Sequence, residues 1–156
     1  MPICSGSLQI CKTITKVTFN CIKQVQSYVL LSKMQQMKPV IKIKRVYEQP
    51  AETDGYRVLT DRLWPRGIRK EDASLDEWAK GLAPSTQLRK WFGHDPALWD
   101  TFRERYRAEL KNNRELTAFV TAHRHKKKIT LLFGGKDTAH THALVLQEYL
   151  EQQFSA

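Results

Sequence analysis

The chain has 156 residues, 41% hydrophobic and 27% charged, the size and composition of about one globular domain with a modest core. Its net charge of +10, from 26 basic and 16 acidic residues, favours anionic partners such as nucleic acid, phosphorylated metabolites or an anionic surface. No apolar run approaches the ~18–20 residues that a membrane-spanning helix needs, so the expectation is no membrane span.

All three cysteines, Cys4, Cys11 and Cys21, fall in the first 21 residues. They make no CxxC pair and have no histidine close by in sequence. A disulfide framework and a metal set are therefore not expected, and a reducing cytoplasm is the simplest location. Residues 1–38 hold five lysines, no arginine and no acid, and so carry half of the net charge. A targeting peptide would be rich in arginine, and a secretory signal would show a compact apolar stretch. The expectation is a poorly ordered or non-native extension, with Met34 or Met37 as candidate natural starts. A short helix around Cys21–Met34 and an interaction tail are the alternatives. The domain proper is expected over residues 39–154.

Within it, Val40–Tyr47 alternates and is rich in β-branched residues, so it reads as a half-buried strand. Pro50, Asp54 and Gly55 mark a loop before a second strand, Tyr56–Leu59, and Pro65 forbids its continuation. Ser74 and Glu77 have capping-box spacing ahead of Leu75, Trp78, Ala79 and Leu82. That predicts a short helix, with a strand as the alternative. Ser85 is placed to cap a helix carrying Leu88, Trp91 and Phe92 on one face, ended by Gly93. Asp95-Pro96 starts a longer helix whose core stripe is Trp99, Phe102, Tyr106 and Leu110. Asn112-Asn113 separates it from a helix bearing Leu116, Phe119 and Val120. Lys126–Lys128 reads as a solvated basic loop. Ile129–Phe133 is apolar throughout, as for a strand covered on both faces. A last helix is expected from about Thr138 to Gln153, with Ala143, Leu146, Tyr149 and Leu150 inward. The order β, β, helices, β, helix predicts a small single α/β domain, a mostly parallel sheet flanked by helices.

Two segments carry potential chemistry. Asp61-Arg62-Leu63-Trp64-Pro65-Arg66-Gly67 follows the second strand, and ligands in open α/β sheets bind outside the carboxyl ends of strands. Gly134-Gly135-Lys136-Asp137 follows the last strand, where helix-start amides can receive an anion. It lacks the GxxxxGK[ST] pattern of a phosphate loop. His142, one turn into the expected last helix, would be inward and tend towards the neutral form, as an acceptor or general base or as a buried histidine that merely satisfies a hydrogen bond. His140 and His142 are two apart and do not make a helical metal pair, so no metal site is expected. If the second and last strands are parallel neighbours, Asp61, Arg62 and Arg66 face Lys136, Asp137 and His142. Arg62, Arg66 and Lys136 would grip the anion, and Asp61, Asp137 and His142 would serve in acid–base or orienting roles. Trp64 would wall a ring or simply pack the loop. The alternative for the same residues is an Arg–Asp network that ties loop to helix and needs no ligand.

The runs Lys44–Tyr47, Asp54–Leu59 and Asp61–Gly67 resemble the bacterial YeaO-like family, part of a larger group of domains of unknown function. The resemblance continues through Asp76–Trp78, Ala83–Ser85, Leu88–Lys90, Phe102-Arg103, Tyr106, Glu109-Leu110, Thr130–Leu132, Lys136-Asp137 and His142-Ala143. It implies no settled activity, substrate or cofactor. The family pattern has Asn before the His-Ala pair, where this chain has Thr141. Distant relatives carry a cysteine after the last strand, and its absence here means that thiol chemistry does not transfer. The functional expectation is an anion-binding cleft for a small phosphorylated or nucleotide-like ligand, with or without catalysis and with no cofactor. The alternative is a basic nucleic-acid-binding or interaction protein.

Overall fold

Hydrophobic alternation sorts the strand residues between two faces of one sheet. The computed structural model describes residues 38–155, so the expectations for residues 1–37, the Cys21–Met34 helix among them, lie outside the described residues. The strands are β1 (Val40–Arg45), β2 (Tyr56–Leu59), β3 (Glu77–Trp78) and β4 (Lys128–Phe133), and the helices are α1 (Thr86–Phe92), α2 (Trp99–Lys111), α3 (Arg114–His123) and α4 (His142–Ser155). The sheet is parallel throughout, in the order β1-β4-β2-β3. It is a small α/β fold.

One face carries Ile41, Val58, Ile129 and Leu131. All four helices pack on it, through Leu88 and Phe92, Phe102, Tyr106 and Leu110, Leu116 and Phe119, and Val145, Leu146 and Leu150. The helices therefore flank one side only. The other face carries Leu59 and Leu132 and is covered by the segment after β2, through Trp64, Ile68, Ala73 and Leu75. This explains why Ile129–Phe133 reads as apolar without alternation: both faces are covered, and all five residues are buried.

Several local signals act as their chemistry requires. The Ser85 hydroxyl accepts from the Leu88 amide at 3.1 Å, and Gly93 closes α1 in the left-handed region. Asp95 accepts from the Ala97 amide at 2.9 Å and starts a 3-10 turn that leads into α2. Three expectations need correction. Residues 75–82 form β3 and a 3-10 turn, not a helix. Ser74 has φ +47°, and the ladder along β2 takes the following amides, Asp76 to the Arg57 carbonyl and Ala79 to that of Leu59. Trp91 lies on the surface, with Arg105 4.2 Å above its ring, instead of sharing the inward face of Leu88 and Phe92. The last helix starts at His142, because the Asp137 carboxylate takes the Ala139 and His140 amides and holds residues 137–140 in a turn.

At the amino ends of the strands, Gly55 turns the chain into β2 with φ +69° and ψ −134°. A Cβ there would lie 2.8 Å from the Lys128 carbonyl oxygen and 2.9 Å from its Cβ. Backbone strain and backbone contact act together, so Gly55→Ala is expected to destabilise by about 2 kcal/mol or more in urea unfolding. An unchanged midpoint would show that this turn relaxes freely.

Candidate functional site

The site is built where β2 and β4 end side by side. Leu59 pairs with Leu132, and the Thr60 amide continues the ladder to the Leu132 carbonyl at 3.0 Å. The next residue, Asp61, therefore emerges beside Gly134. Asp61 Oδ2 accepts from the Gly134 amide at 2.7 Å, and its carbonyl accepts from Trp78 Nε1 at 2.7 Å. A Cβ on Gly134 would lie 3.0 Å from that carboxylate and 3.3 Å from Pro65, so the glycine permits the close approach of the two loops.

The Trp64 indole packs under its own loop. It donates to the Ile68 carbonyl at 2.8 Å and meets Trp78 edge-on at 5.2 Å. Arg66 is exposed and lends its carbonyl to the Tyr47 hydroxyl at 3.0 Å. Lys136 is also exposed. Trp64, Arg66 and Lys136 do not line the cleft described below, whereas Asp61, Arg62, Asp137 and His142 do.

The amides after β4 are occupied from within the protein. Asp137 Oδ1 accepts from the Ala139 and His140 amides at 2.7 and 3.1 Å, and Oδ2 pairs with His140 Nδ1 at 2.8 Å. The His140 side chain and those two amides hold the Asp137 carboxyl below its ordinary range. With Asp61 on Gly134, two carboxylates thus occupy backbone donors that a phosphate loop would leave to its ligand.

His142 is the first residue of α4, with its side chain 16% exposed. Its Nε2 lies 3.3 Å from Thr60 Oγ1 and 3.5 Å from Asp61 Oδ1. The Thr60 hydroxyl donates its single proton to the Leu132 carbonyl at 3.0 Å. Thr60 Oγ1 must then accept, which assigns the hydrogen to Nε2. Among the described residues Nδ1 has no hydrogen-bond partner. Burial pulls the His142 pKa below the ordinary imidazole value; Asp61 and the Thr60 backbone oppose this, and Arg89 and His94 reinforce it.

Around His142 lies a cleft of about 320 Å³, a volume within the range of small-molecule sites. Its floor is apolar, with Ala83, Pro84, Phe92 and Phe102, and Leu63 stands 66% exposed at its edge. Arg62 reaches it from the loop after β2, Arg89 and Lys90 from α1, and His94 from the turn beyond. Sequence reasoning did not select Arg89, Lys90 or His94 as site residues. Arg89 and Phe92 are three apart on a helix and so share a side, a weak signal that was available. His94 owes its position to two successive left-handed residues, Gly93 at φ +52° and His94 at φ +62°, which local sequence does not announce.

Among the described residues, Lys44, Arg57, Arg69, Arg103 and Arg107 each pair with a carboxylate. Arg62, Arg89 and Lys90 do not. No group of three or more His, Cys, Asp or Glu among the described residues is arranged to hold a metal, and no described helix is long and apolar enough to cross a membrane.

Residues 40–156 match the family described as the inactive DUF488-N3 subclade. The chain is 47% identical over 110 residues to the uncharacterized protein YeaO of Escherichia coli, covering 70% of this chain and 96% of that one. It is 39% identical over 110 residues to the uncharacterized proteins Rv3073c of Mycobacterium tuberculosis and Mb3100c of Mycobacterium bovis, covering 70% of this chain and 92% of each. No solved structure matches it. The chain belongs to the YeaO-like proteins of the inactive DUF488-N3 subclade, a bacterial family of unknown function.

Proposed function

We propose that the cleft binds a small phosphorylated or nucleotide-like anion and performs no chemistry on it. The observation that carries this reading is the convergence of Arg62, Arg89 and Lys90 on one concave surface without a carboxylate partner among the described residues. Arg89 is half-buried, and a cation drawn partly out of water gains from an anion that restores its pairing. The floor of Phe92 and Phe102 supplies contact for the apolar part of the same ligand. Asp61 and Asp137 act in this reading as organisers of the two loops.

Binding without turnover is favoured by the family's description as inactive. The lining of the cleft points the same way, since among the described residues it holds neither serine nor cysteine and its Thr141 is buried. The hydroxyl nearest the Asp61–His142 pair, that of Thr60, is fully buried and gives its proton to the Leu132 carbonyl, so it is not free to act as a nucleophile.

The test is a thermal-shift and titration series with inorganic phosphate, sulfate and nucleoside monophosphates on the full chain. Ligand that binds only the native state raises apparent stability by mass action. Arg62→Ala and Arg89→Ala should each weaken the anion by about tenfold or more, as expected for loss of a charged hydrogen bond. Because Arg62 is exposed, Arg62→Ala should unfold within about 0.5 kcal/mol of the parent. No response to any anion, or a response that both variants keep, would overturn the reading. A response to oligonucleotide alone, falling steeply with salt, would instead favour nucleic acid.

A further inference from the structure

Three of the five histidines, His94, His140 and His142, line this one cleft. They come from the turn after α1, from the loop after β4 and from the first residue of α4. Arginine and lysine alone would hold an anion at any pH near neutrality, so the histidines add a charge that the pH can vary. We propose that the cleft takes up its anion together with a proton, carried first by His142, so that affinity rises as the pH falls. The inference rests on the anion-binding reading above and states how that site is regulated.

The surroundings of His142 argue for it as the carrier. Thr60 and Asp61 meet it from the end of β2, and Tyr106 of α2 lies edge-on with ring centroids 6.5 Å apart. Arg89 and Lys90 of α1, Arg62, His94, Asp137 and His140 share the cleft with it. In the free protein, Nε2 donates to Thr60 Oγ1 and Nδ1 holds a lone pair without a described partner. Protonation at Nδ1 therefore breaks no existing hydrogen bond. The extra charge is opposed by burial and by Arg89 and His94, and that opposition is offset only in part by Asp61 and the Thr60 backbone. An anion placed against Arg89 and His94 offsets that repulsion and adds attraction of its own.

The direction follows from linkage. Anion binding raises the affinity of His142 for a proton, and reciprocally the proton raises affinity for the anion. Affinity should climb as the pH falls through the proton affinity of the complex, and level off below that of the free protein. Without anion the dependence runs the other way. A histidine whose folded pKa is lowered contributes stability that is present above its unfolded value near 6.5 and is lost as the pH falls below it. The stabilising effect of an anion should thus be greatest where the free protein is weakest.

Sulfate is the suitable probe, since it stays a dianion throughout and any pH dependence belongs to the protein. Its dissociation constant, measured calorimetrically, is expected to fall continuously as the pH is lowered from ~8 to ~5, approaching the roughly tenfold limit that a one-unit rise in one pKa sets. At intermediate pH the apparent heat should differ between two buffers of unlike ionisation enthalpy, which counts the proton on the unmodified protein. His142→Gln keeps a donor for Thr60 and should flatten the pH profile. His125 is exposed and outside the cleft, so His125→Gln should leave the profile in place. Sulfate binding with no pH dependence and no buffer-dependent heat overturns the proton coupling and leaves the anion site standing. A profile undiminished in His142→Gln overturns the assignment to His142. Absence of sulfate binding across that pH range overturns the coupling, and absence of any response to phosphate and nucleoside monophosphates as well overturns the anion reading with it.

Discussion

Replacing Asp54 by alanine is expected to destabilise the protein by about 3–5 kcal/mol, as for a buried ion pair that loses one member. Asp54 ends the turn before β2 and is 6% exposed. Its carboxylate pairs with Arg57, accepts from Lys44 Nζ at 3.0 Å and from the Ala51 amide at 3.0 Å, and its carbonyl accepts from Thr130 at 2.6 Å. Arg57 is itself 5% exposed, and it also donates to the Ser74 and Ala73 carbonyls. Alanine would leave that guanidinium buried without a counter-charge. Against a total stability of ~5–15 kcal/mol, the loss should unfold a sizeable fraction of the protein, read as a shift of the urea midpoint. A loss below ~1 kcal/mol would show that water replaces the carboxylate.

The same group predicts an acid limb. Burial alone would raise the Asp54 pKa, but the Ala51 amide, Lys44 and Arg57 together hold it below the ordinary carboxyl value of 3.8. Its contribution is therefore present above pH 3.8 and is lost as the pH falls through the lower folded value. The Asp54→Ala variant should lack that part of the acid transition.

Phe102→Ala should destabilise by about 3–5 kcal/mol and open the floor of the cleft. Phe102 is 2% exposed, stacks on Phe92 with centroids 4.4 Å apart and lies 5.7 Å from Trp99. Truncation removes a ring that lines the floor and also stacks against Phe92. Urea unfolding reads the stability, and titration of the surviving native protein reads the ligand. The affinity for a nucleoside monophosphate should fall more than that for inorganic phosphate, since only the former uses the apolar floor. Equal losses for both would remove the floor from the recognition of the ligand.

Periodicity alone places much of this fold. The Tyr56–Leu59 strand, the apolar run that becomes β4, and the Phe102, Tyr106 and Leu110 stripe were legible because each is a local pattern whose period matches its element. The Ser85 and Asp95 caps were legible for a similar reason, since each acts on amides two or three residues away. The parallel adjacency of β2 and β4, on which the proposed cleft depends, was legible only as a condition on the topology.

The remainder was decided between distant parts of the chain. Residues 74–78 carry a helix signal, yet an available edge on β2 outbids a short capping box, because ladder hydrogen bonds and packing against Trp64 replace a marginal helix. The amides after β4 look free in sequence, but Asp61, 73 residues away, occupies that of Gly134. Trp64 has the composition of a ligand wall, and tertiary packing commits it to its own loop. Arg89, Lys90 and His94 become neighbours of His142 only when α1 is laid over the strand ends, so no spacing in sequence could bring them together. The sequence by itself determined most of the apolar core and the elements that carry it, with Trp91 and residues 75–82 as the exceptions. Tertiary structure decided which charges meet and which stay unpaired, because an electrostatic partner is chosen by distance in space, and local sequence patterns do not encode that distance.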